Sequence, residues 1–124
     1  MKAARVARGA AARVSGRRGE VVAAVLLMLK GYRILGFRLR TPQGEIDILA
    51  LRGGVLVVVE VKRRTNLLAA LEAVTYEQRE RLRRAGLNLA ARRPSLRGAA
   101  VRLDLVALAP GELPVHIPDA WRGA

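Results

Sequence analysis

Residues 44–64 read GEIDILALRGGVLVVVEVKRR. Two apolar runs face each other across Gly53-Gly54, a pair suited to a two-residue hairpin turn. Four ionisable groups lie within them: Glu45, Asp47, Glu60 and Lys62. Alternation puts Glu45 and Asp47 on one face of their strand, and Glu60 and Lys62 on one face of theirs. With both glycines in the loop, Arg52 pairs with Val55 and paired residue numbers sum to 107. Asp47 then lies opposite Glu60, and Glu45 opposite Lys62. Directly opposed Cβ atoms are about 4.5–5.5 Å apart. Two carboxylates that close repel each other, and a divalent cation with oxygen ligands removes the conflict. An edge hairpin protected by a Glu45–Lys62 ion pair accounts for one of the two pairs. It leaves Asp47 opposite Glu60 unexplained, because like charges directly opposite destabilise a sheet. The other face carries Ile46, Ile48, Val57, Val59 and Val61, a wall suited to a covering helix.

Outward from the hairpin, the pattern alternates between helix and strand. Residues 1–15 are basic and Ala-rich with no sustained apolar face, which reads as a flexible basic arm. Residues 16–124 read as one domain. A mostly buried helix spans about Gly16 to Lys30 and ends at Gly31 as a C-cap. Strands follow at 32–40, 45–51 and 55–62, with a turn at Thr41–Gly44. Apolar spacing predicts one long basic helix from Leu68 to Ala91, stopped by Pro94. A strand at 99–108 and a weak one at 113–117 complete an α/β fold, a mixed sheet with flanking helices in the order α-β-β-β-α-β.

Of the 124 residues, 23 are Lys or Arg and 10 are Asp or Glu, a net charge of +13. So large an excess on so small a domain points to a polyanionic partner, nucleic acid before a membrane surface. Only Lys2, Lys30 and Lys62 are lysines, so a lysine beside the hairpin carboxylates reads as a chemical choice. The absence of cysteine excludes disulfides and thiolate metal sites and fits a reducing compartment. The apolar run VVAAVLLML (21–29) follows a basic stretch but is too short to span a bilayer, and no small-residue cleavage site follows it. The expectation is a cytoplasmic protein. Asp104 shares a strand face with Arg102, its expected partner, and His116 has no companion ligands in sequence. Glu20, on an apolar helix, suits either a site or the N-terminal end of the helix macrodipole.

Asp47, a hairpin and then Glu60-Val61-Lys62 resemble the core of the PD-(D/E)xK nuclease superfamily, the restriction-endonuclease-like fold. Gly16-x3-Glu20-x2-Ala23, Gly31-Tyr32-Arg33-Ile34-Leu35, Gly44-Glu45-Ile46-Asp47, Val59-Glu60-Val61-Lys62, Glu72-Ala73-Val74-Thr75 and His116-Ile117-x2-Ala120 occur in that order. Together they resemble the bacterial YraN / UPF0102 family, which is similar to archaeal Holliday-junction resolvases. The resemblance covers about residues 16–121. It implies a DNA endonuclease acting on branched or recombining DNA, with Mg²⁺ (or Mn²⁺) held by Asp47, Glu60 and the carbonyl of Val61. It further implies that Lys62 positions or deprotonates the attacking water and that Glu20 completes the acidic site. Glu45 and Gln78 are accessory positions, and Arg63, Arg64, Arg79 and Arg83 are candidate nucleic-acid contacts. Symmetric cleavage of a four-way junction would want a homodimer. The chain departs from the family pattern at Phe37-Arg38, where the second position is usually Asn, in a short Thr65–Leu71 segment and at Leu103. The alternative reading is a nucleic-acid-binding or scaffold protein that keeps the fold with little turnover.

Overall fold

The computed structural model describes residues 17–123. The basic arm expected over 1–15 lies outside those residues. Helix α1 covers 17–29. It ends in a Schellman arrangement: Tyr32 N–H donates to Leu27 C=O at 3.0 Å, Gly31 N–H donates to Met28 C=O at 3.0 Å, and Gly31 takes φ +90°. Three strands follow, β1 (Arg33–Thr41), β2 (Gly44–Arg52) and β3 (Val55–Arg63). Then come helices α2 (Leu67–Glu72) and α3 (Tyr76–Arg92), a 3₁₀ turn (Pro94–Leu96), β4 (Ala100–Leu108) and the short β5 (Val115–Ile117).

The five strands lie in chain order in one sheet. The β1–β2, β2–β3 and β4–β5 pairs are antiparallel, and β3–β4 is parallel across the helical crossover. This is the mixed α/β order that the sequence implied, and it is compatible with a nuclease-like core. Helix α1 packs Ala23, Ala24 and Leu27 with Ile48, Ala50, Val57, Val59 and Val106. Helix α3 packs Leu82, Ala85 and Ala90 with Leu49, Leu56, Val58 and Leu103. Strand β3 is therefore covered on both sides, which is why it can read as an unbroken apolar run. Helix α3 sits close to the sheet at Gly86, where a Cβ would come within 2.8 Å of Val101 and 2.9 Å of Val58.

Two expectations need correcting. The long helix expected from Leu68 to Ala91 is two helices, broken after Glu72. Thr75 caps α3: its hydroxyl accepts from Gln78 N–H at 3.2 Å, and the Gln78 side chain accepts from Thr75 N–H at 3.1 Å. Those reciprocal bonds satisfy orphan donors at a new helix start. Asn66 caps α2 by accepting from Ala69 N–H at 2.8 Å. The second correction concerns Ile46. It packs with Leu49, Leu56 and Val58 rather than with Ile48, so the pleat of β2 is broken around Asp47.

Candidate functional site

The Gly53-Gly54 turn is the two-residue loop that the spacing predicts. Gly53 takes φ +58°, and the ladder pairs Arg52 with Val55 and runs to Ile48 with Val59. Asp47 and Glu60 occupy the next rung, but no ladder pairing forms there. Instead, the Asp47 carboxylate accepts the backbone N–H of Val61 at 2.9 Å. A continued ladder would set Val61 against Ile46. The side chain takes that donor, and β2 and β3 part at Asp47. The N–H and C=O of one strand residue point to the same edge, so the Val61 carbonyl also faces the fork. On the other side of β2, Leu39 pairs with Ile46 and Phe37 with Ile48. Between them Arg38 takes φ +48°, a left-handed conformation costly for a long side chain.

The fork brings Asp47, Glu60 and Lys62 together. Glu60 is 8 % exposed, and its carboxyl hydrogen-bonds that of Asp47. Burial first, and the neighbouring Asp47 charge second, push Glu60 up to about 8. Burial also raises Asp47, against the opposing pull of the Val61 N–H and the Lys62 charge. At neutral pH the two acids therefore share one proton, held on Glu60. Lys62 Nζ stands 3.6 Å from Glu60 Oε2. The expected opposition of Glu45 and Lys62 is absent from the β2–β3 ladder. Glu45 pairs with Arg40 across β1–β2, because the strands have already parted.

Glu20 reaches the edge of this group from α1, and its charge is one of the influences raising Asp47. Both of its oxygens are taken by Arg38 Nε, at 2.9 and 2.8 Å. Among the described residues, no group of three or more carboxylates or histidines is arranged to hold a metal ion. Two carboxyls and a carbonyl converge at the fork, with Glu20 held aside. The Arg38 contact was missed in the sequence; its only signal was the departure from Asn, a residue that tolerates positive φ.

A cleft of about 200 Å³ opens beside the fork, lined by Glu45, Glu60, Gln78, Gln43, Arg81 and Leu82 among others. It brings both accessory positions, Glu45 and Gln78, alongside Glu60. Gln43 and Arg81 were not singled out in the sequence. The four expected nucleic-acid arginines differ in their surroundings. Arg63 and Arg64 are exposed just beyond Lys62, and Arg64 donates to the Arg63 carbonyl at 2.7 Å. Arg83 pairs with Glu80 at 2.9 Å. Arg79 lies over the Tyr76 and Trp121 rings, 5.6 and 5.8 Å from their centroids.

A separate polar cluster sits on the α1 side of β4. Asp104, fully buried, accepts from Arg102 Nε at 2.7 Å and Nη2 at 2.8 Å, and from Asp119 N–H at 3.0 Å. His116 Nε2 completes the set at 2.8 Å. Burial pushes Asp104 up, but the His116, Arg102 and Asp119 bonds outweigh it and hold the carboxyl below its usual range. The Arg102 partner expected from the strand face is present. His116 is a partner of Asp104, with Lys30 against its Nδ1 and its ring edge-on to Tyr32 at 5.3 Å.

Known proteins match this chain across the fork and both helical layers. The family model described as "Uncharacterised protein family UPF0102" matches residues 19–108. A UPF0102 protein of Caulobacter sp. (strain K31) is 71 % identical over 120 residues, covering 97 % of this chain and 86 % of the relative. One from Caulobacter vibrioides (strain NA1000 / CB15N) is 66 % identical, covering 97 % and 96 %. A UPF0102 protein of Parvibaculum lavamentivorans is 47 % identical over 116 residues, covering 94 % and 87 %. The chain belongs to the UPF0102 family.

Proposed function

We propose that this protein is a divalent-metal-dependent nuclease that hydrolyses phosphodiester bonds in DNA, with branched DNA the favoured substrate. The observation that carries this reading is the buried Asp47–Glu60 pair beside Lys62, at a fork where two strands part. A structural ion pair has no need of two acids in contact. Paired acids that share a proton are poised to exchange it for a cation, since ligand carboxylates must be deprotonated.

The donor set suits Mg²⁺ or Mn²⁺: two carboxylates and a backbone carbonyl are hard oxygen ligands. Asp47, Glu60 and the Val61 carbonyl would hold the ion. Once bound, it would polarise a phosphodiester and lower the pKa of a water. Lys62 Nζ would orient the attacking water or take its proton, and its charge favours the developing phosphorane. Arg81, across the cleft from Glu60, would hold the substrate phosphate. With no cysteine, and no described helix long and apolar enough to cross a membrane, a cytoplasmic enzyme is the reading that fits.

The second reading, a binding protein with little turnover, is favoured by one observation. Arg38 occupies both oxygens of Glu20, which leaves the acidic site short of its third member. The two are separated by a cleavage screen on single-stranded, duplex, flap and four-way-junction DNA with Mg²⁺ or Mn²⁺. Lys62→Ala should abolish cleavage and leave DNA binding nearly intact. Cleavage that survives Lys62→Ala rejects the enzymatic assignment, and no cleavage of any substrate by the unaltered protein selects the binding role.

A further inference from the structure

The arginines that border the cleft are not those the sequence pointed to. On α3, Arg81, Arg84, Asn88 and Arg92 fall at i, i+3, i+7 and i+11, one stripe of a 3.6-residue helix. Arg81 lines the cleft with Glu60 and also lines, with Arg84, a neighbouring hollow of about 380 Å³. Gln43 links the cleft to a third, smaller hollow bordered by Arg40, Asn88 and Arg92. Two of the hollows lie between α3 and the β1–β2 turn, and the one lined by α3 alone adjoins them at Arg81, so the three make one path along α3. The side chains of Arg40, Arg81, Arg84 and Arg92 make no hydrogen bond or ion pair with other described residues, unlike those of Arg38, Arg83 and Arg102. Glu77 and Glu80 border the Arg84 end, and Glu80 is neutralised by Arg83.

We infer that this path binds one single strand of DNA, with Arg40, Arg81, Arg84 and Arg92 on its phosphates and an unpaired base beside Gln43. The inference rests on the nuclease reading and specifies which segment of substrate enters the site. From Arg81 to Arg92 the helix rises about 16 Å. A stacked strand advances about 3.4 Å per nucleotide, so that length takes about five nucleotides, and a more extended strand takes fewer. Gln43 favours a strand over a duplex. Its buried Oε1 has no hydrogen-bond partner where two hollows meet. An acceptor needs a donor, and phosphates have none. An unpaired base turns the donors of its Watson–Crick edge toward a side chain inside the path, whereas a duplex offers donors only along its grooves.

The test is equilibrium binding in EDTA, by fluorescence anisotropy, to a labelled 15-residue oligothymidine and to a duplex of equal length. Replacing Arg81, Arg84 and Arg92 with Ala should weaken oligothymidine binding at least about tenfold. The slope of log affinity against log salt should become shallower by about 2, at roughly 0.7 per lost single-strand contact. The same loss of charge elsewhere, Arg33, Arg97 and Arg122 to Ala, should cost under about threefold, since these three lie off the path. Gln43→Leu should cost about fivefold on oligothymidine and little on an abasic oligomer, the effect of one lost hydrogen bond. Equal losses in the two triple variants, or a duplex bound as tightly as the strand, overturn the path while leaving the nuclease reading to its cleavage screen. Strand binding with the expected arginine dependence, but without metal-dependent cleavage, upholds the path and rejects turnover.

Discussion

Asp47 Oδ2 accepts the backbone N–H of Val61 at 2.9 Å, a donor that an unbroken hairpin would present to Ile46. That substitution of side chain for backbone parts the strands and turns the Val61 carbonyl toward the acidic pair. It also keeps Asp47 beside Glu60 although their rung of the ladder is missing. The acids are held together by the register of the Gly53-Gly54 hairpin below them and are exposed to the cleft by the fork above.

The pair should cost stability in alkaline solution. Glu60 is raised from 4.5 to about 8, first by burial and then by the Asp47 charge. A raised acid contributes stability that is fully present below its unfolded value and lost as pH rises through its folded value. The window is therefore pH 4.5 to 8. Glu60→Gln keeps a donor for Asp47 and removes the titration. At pH 9 it should be more stable than the unaltered protein by on the order of 1–3 kcal/mol, the range for an uncompensated buried polar group, and melt at a higher temperature. The advantage should shrink toward pH 5. Thermal melts at the two pH values decide this, and an advantage that grows on acidification would contradict the shared proton.

Binding of a divalent ion should expel that proton. At pH 7 Glu60 is mostly protonated, so Mn²⁺ or Mg²⁺ binding should release about one proton. Above pH 9 the release should fall toward zero, and affinity should rise with pH until about 8 and then level. Calorimetry in two buffers of different ionisation enthalpy measures the proton count directly. Binding without proton release at pH 7 would place the ion elsewhere.

Arg38 should restrain the site. Its Nε holds both Glu20 oxygens from a backbone at φ +48°. Asn accepts that backbone conformation more readily and removes the cation. Arg38→Asn should therefore free Glu20 and raise Mn²⁺ affinity about three- to tenfold, the scale of one charge a few ångströms away in a partly wet site. Lower affinity in this variant would show that the guanidinium organises the acids rather than neutralising them.

The hairpin was legible because a two-residue glycine turn fixes parity, and parity fixes which residues can meet. The same rule misplaced Ile46 and the Glu45–Lys62 pair. It assumes an unbroken pleat, and Asp47 breaks the pleat by hydrogen-bonding the backbone. The start of α3 was written in the sequence as Thr75-x-x-Gln78, a capping box, but apolar spacing continues across it and masked the break. Arg38 and Arg81 were not legible. Their importance comes from Glu20 on α1, which Arg38 holds, and from Glu60, with which Arg81 lines the cleft, and local pattern carries neither relation. Arg79, a helix arginine that read as a phosphate contact, also lies over the Tyr76 and Trp121 rings, a relation that local pattern does not carry either.

Scaffold and site should separate at Asp104. Asp104 is fully buried with Arg102, His116 and the Asp119 N–H around it, on the sheet face away from the fork. It pairs in register with Val59, whereas Glu60 pairs with Leu105, so alternation sends Asp104 and Glu60 to opposite faces. Asp104→Ala leaves the Arg102 guanidinium and the His116 ring without their shared acceptor, and also frees the Asp119 backbone N–H that fastens the chain after β5. Removing one partner of a buried ion pair costs about 3–5 kcal/mol. The native carboxyl is held below its usual range, so its contribution is present above the unfolded value near 3.8 and fades as pH falls below it. Urea denaturation at pH 7 should show the full loss, and at pH 3 the gap between the two proteins should narrow. Metal affinity measured on the folded fraction should be unchanged, because no Asp104 partner touches the fork. A variant that keeps its stability but loses metal binding would move the functional centre from the β2–β3 fork to this cluster.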